Sequence, residues 1–181
     1  MYFSVLFPYA NQVRGVQLMK RVAVVMGSER DLPVMEKACT ILKELDIPFS
    51  VHVLSAHRTP KQATDFASTA ASNGYGVLIA GAGMGAHLGG VLASCTLLPV
   101  IGVPLSATLG GLDALLAIVQ MPTGIPVATV AIDGSANAAL LAAQILSLGD
   151  DKLAAKLAQR RLEGEQAVLD TNERINRSFT L

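Results

Sequence analysis

From Gln62 to Asp151 the chain carries no lysine or arginine, and between Asp65 and Asp113 it carries no acidic residue either. Tryptophan is absent, aromatic residues make up 4% of the 181 positions, and there are only two cysteines. Each shortage excludes something. Lys plus Arg, at 14, equal Asp plus Glu, at 14, so no global charge draws the protein to nucleic acid or to an anionic membrane. Cys39 and Cys95 lie in apolar stretches without metal-ligand spacing. They read as buried thiols of a protein in the reducing cytoplasm, not as a disulfide framework. The charge-poor stretch is repeatedly cut by "SNGYG", "GAGMGAHLGG", "LPVIGVP" and "ATLGG". A membrane-spanning helix needs about 20 continuous apolar residues, and these pieces are shorter. The stretch reads instead as a sheet buried on both faces, with helices that also bury against other subunits. A surface this apolar is a solubility problem for a monomer.

The first 20 residues, "MYFSVLFPYANQVRGVQLMK", hold two of the five Phe and two of the three Tyr. They show neither a basic leading region nor a small-residue cleavage site, which argues against a signal peptide. Met19 directly precedes "KRVAVVMGS" and suits a start position. Residues 1–19 are therefore read as an N-terminal extension, either an added arm or the product of an upstream start codon. Residues 20–181 are read as a single domain, long enough for a sizeable core.

What is present alternates. "RVAVVMG" is a continuous apolar run ending in Gly, as a strand buried in a parallel sheet requires. The spacing then predicts a helix with Val34, Ala38, Ile41, Leu42 and Leu45 on one face. Pro33 falls in its first turn, where a missing N–H costs nothing. "IPFSVHVLSA" reads as the second strand, "TPKQATDFASTAASN" as the second helix and "GVLIAGAG" as the third strand. "AHLGGVLASCT" is a short helix, "LPVIGVP" the fourth strand and "GGLDALLAIVQM" a helix. "PVATVAI" is the fifth strand and "SANAALLAAQILSL" a further helix. A last amphipathic helix is predicted from about Asp150 to Glu173, carrying Lys152, Lys156, Arg160 and Arg161. The alternation predicts an α/β fold: a three-layer αβα sandwich around a flavodoxin-like five-stranded parallel sheet of order 2-1-3-4-5, with a C-terminal helical extension. In that order the winding switches between strands 1 and 3, and ligands bind outside the carboxyl ends near the switch.

Four loops share that edge: "GSERD" after strand 1, "SAHRTP" after strand 2, "GAGMGAHLGG" after strand 3 and "PLSATLGG" after strand 4. Ser28 and Asp31 suit an ordinary helix cap. A hydroxyl beside free backbone N–H groups is also how phosphates are held. Arg30 and Arg58 are the only strong cations in these loops, and a guanidinium fork suits phosphate or carboxylate. His57 is an imidazole able to take or give a proton near pH 7. His87, inside the Gly-rich turn, is as suited to shaping that turn as to touching ligand. His52, within strand 2, reads as structural. "GAGMGA" fits the G-x-G-x-x-G/A pattern after a strand, but no acidic residue follows before Asp113 to hold a ribose. The motif also lies in the third unit instead of the first, so a dinucleotide site is disfavoured. Its glycines still let backbone N–H groups approach a small anion. No metal cage, Ser-His-Asp order or P-loop stands out. The residues alone stop at a compact site for a small phosphorylated ligand, with one histidine suited to proton transfer.

These residues carry a resemblance. "VMGSERD", "SAHRTP", "NGYGVLIAGAGMGAHL", "LPVIGVP", "IVQMPTGIPVATVAI" and "NAALLAAQIL" occur in order, from about Lys20 to Leu148. With them the chain resembles the PurE family of purine biosynthesis, and within it class I. The resemblance implies an isomerase, a mutase acting on N5-carboxyaminoimidazole ribonucleotide. Loss of CO2 gives enclosed aminoimidazole ribonucleotide, which is recarboxylated at ring carbon C4. It implies His57 as the general acid and base, Ser28 and Arg58 on anionic groups of the substrate, and Asp31 on the ribose hydroxyls. It implies the Gly81–Leu88 loop over the imidazole, with Gly83, His87 and Leu88 as contacts, and Ser55 and Arg30 as further substrate-binding positions. No ATP, metal or biotin is implied as cofactor. A homo-octamer is implied, with sites built between subunits and the last helix reaching a neighbour. The chain departs from the family in two places. "GSxSD" has Arg30 at its second Ser, and a loop that often reads "GAGGAAHLPG" differs at Met84, Gly85 and Gly89. These changes are expected to bear on affinity and loop dynamics more than on reaction type.

Other functions stay open at this point. A class II relative uses free CO2 and aminoimidazole ribonucleotide directly. A non-catalytic nucleotide- or flavin-binding module uses the same fold; a flavin binder purifies yellow, and nothing here supplies the aromatic sandwich such a site often uses. A purely structural oligomer leaves the cluster of Ser28, Asp31, His57 and Arg58 unexplained.

Overall fold

The computed structural model describes residues 19–179; the extension at residues 1–19 lies outside them except for Met19. Strand β1, Arg21–Met26, leads through a short 3-10 turn into helix α1, Leu32–Glu44. Strand β2, Phe49–Val53, precedes α2, Pro60–Thr69, and β3, Tyr75–Gly83, precedes α3, Leu88–Ser94. Strand β4, Val100–Leu105, is followed by α4, Leu112–Val119, then β5, Ala128–Thr129, α5, Ser135–Ser147, and α6, Asp151–Phe179. The sheet is all parallel in the order β2-β1-β3-β4-β5, as expected.

Successive side chains of a strand point to opposite faces, and β1 is apolar on both. Val22, Val24 and Met26 join a core with Met35, Ala38, Ile41 and Leu42 of α1 and the buried alanines of α5. Ala23 and Val25 face the other way, into a core with Ala63 and Ala67 of α2, Leu88 and Leu92 of α3, and Ala114 and Ile118 of α4. The charge-free middle of the sequence is thus the material of two apolar layers. Alanine on the helices and glycine on the strands bring them close: a Cβ on Gly102 of β4 collides with Ile118 and stands 3.1 Å from Val127.

Three elements differ from expectation. The fifth strand, expected over Pro126–Ile132, is reduced to Ala128–Thr129. Pro126 has no N–H to donate, and the chain beyond Thr129 leaves the ladder with isolated bonds, Val130 N–H to the Gly102 carbonyl and Asp133 N–H to that of Pro104. The helix expected over residues 110–121 begins at Leu112, because Gly110 and Gly111 take left-handed φ values of 63° and 83° in the preceding turn. Helix α6 runs past the expected end at Glu173, to Phe179. Its first turns dock through buried Leu153, through Lys156 to Asp46 at 2.7 Å and through Arg160 to Glu44 at 2.7 Å. From Arg161 onward every described position is exposed. Among the described residues no helix is long and apolar enough to cross a membrane.

The tight approach at β4 predicts that Gly102→Ala lowers unfolding free energy by about 1–3 kcal/mol, the usual cost of overpacking. Urea denaturation checks it; an unchanged midpoint means that Ile118 yields freely.

Candidate active site

The four loops meet at the carboxyl edge, and each is ordered by its own short-range bonds. In the first, Ser28 and Asp31 cap the turn reciprocally. The Asp31 carboxylate accepts the Ser28 N–H at 2.9 Å, and the Ser28 hydroxyl oxygen accepts the Arg30 N–H at 3.3 Å. The Ser28 hydroxyl hydrogen is left to donate elsewhere. Burial pushes the Asp31 carboxyl above its ordinary value, against the lowering effects of the Ser28 and Gly27 amides and the Arg58 charge. Arg30 is exposed, and its guanidinium makes no hydrogen bond or ion pair among the described residues.

The second loop winds around Ser55. Its hydroxyl oxygen accepts the backbone N–H of Arg58 at 3.1 Å and of His57 at 3.4 Å, and Nε of Arg58 at 3.4 Å. Thr59 closes the loop: its hydroxyl oxygen accepts the Ser55 N–H at 2.9 Å, and the hydroxyl donates back to the Ser55 carbonyl at 3.2 Å. His57 and Arg58 are thereby presented outward, both exposed. Nη2 of Arg58 donates to the Gly27 carbonyl at 2.6 Å, tying the second loop to the first.

The third loop turns at Met84, whose φ of 57° is left-handed. That turn brings His87 back over the second loop, where its Nδ1 lies 2.8 Å from Nε2 of His57. Leu88 opens α3 and is 3% exposed, so only its backbone can face a ligand. Gly83 joins the third loop to the fourth: a Cβ there would stand 2.9 Å from that of Ala107. Ser106, in the fourth loop, donates its N–H to Asp133 at 3.0 Å. Asp133, in a left-handed turn before α5, was not singled out from the sequence; its "DG" turn was the available signal.

The structure thus brings Ser28, Asp31, Ser55, His57, Arg58, Gly83 and His87 to one edge, with Arg30 at its margin. His52 stays apart from them. Its Nε2 pairs with the Ser50 hydroxyl at 2.7 Å, its ring packs on Phe66, and burial together with the Arg21 charge lowers its proton affinity. Among the described residues no three His, Cys, Asp or Glu side chains gather in a way that could hold a metal ion. A groove of about 1060 Å³ opens at the opposite end of the sheet, lined by residues such as Lys20, Tyr75, Leu98, Pro99 and Ile125. It sits at the amino ends of β1, β3 and β4 and contains no imidazole. The carboxyl edge, where an imidazole, a guanidinium and free hydroxyls converge, is the candidate for chemistry.

The family model for AIR carboxylase matches residues 21–167, from β1 into α6 and across all four loops. The chain belongs to the AIR carboxylase family. A family relative from Pyrococcus abyssi, named N5-carboxyaminoimidazole ribonucleotide mutase, is 54% identical over 144 residues, 79% of this chain and 83% of that protein. Phosphoribosylaminoimidazole carboxylase of Saccharomyces cerevisiae is 50% identical over 149 residues, 82% of this chain but 26% of that longer protein. Among solved structures, a PurE2 variant from Treponema denticola shares the fold with a TM-score of 0.78, at 26% identity, over 89% of this chain and 98% of that one.

Membership gives Met84 a physical context. The loop pattern noted above often has Gly at this position, and a left-handed φ favours Gly; a side chain there costs about 1–2 kcal/mol. Met84 keeps the turn and leaves its side chain 59% exposed.

Asp31 provides a test of the site's electrostatics. A raised carboxyl value means that the folded state holds the proton more tightly than the unfolded one. The stability this supplies is present below 3.8 and is lost as pH rises through the folded value. Asp31→Asn keeps an oxygen to accept the Ser28 N–H and removes that loss. Urea unfolding across pH 3.5–7 is expected to favour the variant over wild type increasingly as pH rises. Parallel curves contradict burial as the dominant influence.

Proposed function

We propose that this chain is an N5-carboxyaminoimidazole ribonucleotide mutase of purine biosynthesis, an isomerase working without an added reactant. The observation that carries the reading is His57, a solvent-facing imidazole at the carboxyl edge, set beside a guanidinium and a capped turn with a free hydroxyl hydrogen. The name of the Pyrococcus abyssi relative supports it. In this reading the carbamate C–N bond breaks, CO2 is released into the enclosed site, and the nitrogen takes a proton from His57. C4 then bonds CO2 and returns its proton to His57, so substrate and product differ only in where the carboxylate sits.

Ser28 and Arg58 bind the substrate's anionic groups, with Arg30 adding a cation to that side. Asp31 holds ribose hydroxyls, and Ser55 shapes the loop that presents His57 and Arg58. The Gly81–Leu88 loop covers the substrate's imidazole. Residues 20–181 act as one catalytic domain, with residues 1–19 as an extension. It works in the cytoplasm, where free Cys39 and Cys95 persist as thiols. It assembles as a homo-oligomer, an octamer. Leu109, Leu112, Leu116 and Val119 leave one apolar surface open, and Leu162, Leu169, Ile175 and Phe179 leave another along projecting α6; both support burial against further copies.

A second reading, direct carboxylation of aminoimidazole ribonucleotide by free CO2, draws on the yeast relative's name. One assay separates the two. Carboxyaminoimidazole ribonucleotide is supplied at neutral pH with isotope-labelled bicarbonate and no ATP. The mutase yields the N5-carboxylated isomer with little label uptake, whereas the carboxylase exchanges label rapidly through free aminoimidazole ribonucleotide. No turnover by either route overturns both. His57→Asn is expected to abolish turnover with the fold intact by circular dichroism; near wild-type activity removes His57 from the chemistry. Arg58→Ala is expected to weaken binding of the phosphorylated ligand by ~2 kcal/mol, the scale of a lost charge-assisted hydrogen bond. Calorimetry checks it, and unchanged affinity takes Arg58 out of the binding site.

A further inference from the structure

Nε2 of His57 and Nδ1 of His87 lie 2.8 Å apart, with the rings nearly perpendicular at 87°. A hydrogen bond between two ring nitrogens contains one hydrogen, so one imidazole donates and the other accepts. The chemistry decides which. If His57 carries the proton from C4 to the carbamate nitrogen, it passes through its imidazolium form in every cycle. Both of its nitrogens then bear hydrogen, so Nε2 cannot accept. A donor role for Nε2 is open to His57 in both its charged and its neutral form.

We propose that His87 is a positioning residue for His57, and not a contact to substrate. Its Nδ1 accepts from Nε2–H of His57 and so keeps the lone pair of neutral His57 on Nδ1. The direction of this bond rests on the mutase reading; its existence rests on the 2.8 Å approach. A single nitrogen then serves both half-reactions without the ring turning. In the first, the carbamate C–N bond breaks, its electron pair goes to nitrogen, and nitrogen takes the hydrogen from Nδ1. In the second, C4 forms its bond to CO2, the C4–H pair restores the ring double bond, and the proton goes back to Nδ1. The hydrogen on Nε2 stays in its bond to His87 throughout.

The fold supplies what this role needs. The left-handed turn at Met84 reverses the third loop, and the Ala86 and His87 amides donate to the Met84 and Gly85 carbonyls at 2.8 Å each. The His87 carbonyl in turn accepts the Val91 N–H at 2.9 Å, anchoring the residue to α3. A neutral imidazole as acceptor also orients His57 without placing a negative charge beside a substrate that already carries a phosphate and a carboxylate. An Asp or Glu in this place would repel both.

The test combines a spectrum with kinetics. Nitrogen-15 NMR of the full chain with labelled histidine rings, assigned with His57→Asn and His87→Asn, is run where both imidazoles are neutral. His57 and His87 are both expected as Nε2–H tautomers; a hydrogen on Nδ1 of neutral His57 overturns the proposal. His87→Leu is expected to lower kcat by about 10²-fold, the scale of a misaligned reacting group, with KM nearly unchanged. His87→Asn, whose amide oxygen can stand near the place of Nδ1, is expected to restore most of the rate. A raised KM with kcat intact marks His87 as a substrate contact and overturns the proposal. Wild-type protein without mutase turnover overturns the function instead, and the tautomers in the spectrum still decide the pairing.

Discussion

Side chains at the edge of a parallel sheet work together only if the loops that carry them hold one another, and here three approaches do so. Arg58 reaches the Gly27 carbonyl and ties the second loop to the first. His57 meets His87 and ties the second to the third. Gly83, with no side chain, lets Ala107 close the third onto the fourth. None of these is a buried ion pair or a large apolar contact. Each is a short, directional or steric constraint between loops that the sheet has already placed side by side. The strands fix where the loops start, and these approaches fix how their side chains face.

The same economy explains the distribution of charge. A parallel sheet covered on both faces needs apolar residues at nearly every strand position, and its helices need small ones to approach closely. The chain answers with Val, Ile and Ala from β1 to α5 and keeps most later charge for α6. Polar chemistry is then confined to loop ends, where backbone N–H groups, hydroxyls and a few cations are unopposed by the core. Guanidinium and imidazole sit in solvent at the edge, and the one site carboxylate with a raised proton affinity, Asp31, is the half-buried one that caps a turn.

Much of the architecture was legible because periodicity reports burial. The uninterrupted run in β1, the 3.6-residue spacing in α1 and the glycine-ended third strand leave little choice of element, and their alternation leaves little choice of sheet order. Where the reading overshot, a local rule was outweighed. "PVATVAI" has the composition of a strand, but a proline at its head and an edge position leave only Ala128 and Thr129 in the ladder. "GGLDALLAIVQM" has the composition of a helix, but its two glycines are spent on a left-handed turn. Composition does not say whether a glycine begins a helix or reverses the chain before it.

For the site, residue types and their places after successive strands were enough to gather Ser28, Asp31, His57 and Arg58, because a parallel sheet delivers every such loop to one edge. That much belongs to the sequence, together with the family pattern. Tertiary structure alone decided the partners: that Ser55 acts on the loop backbone, that Leu88 turns into the core, and that His87 points at His57. His57 and His87 are 30 positions apart in the chain, and their approach depends on a reversal at Met84, a residue whose type does not predict a left-handed turn. Sequence periodicity records which face of an element is buried. It carries no record of distances between loops, which the packing of the whole sheet sets.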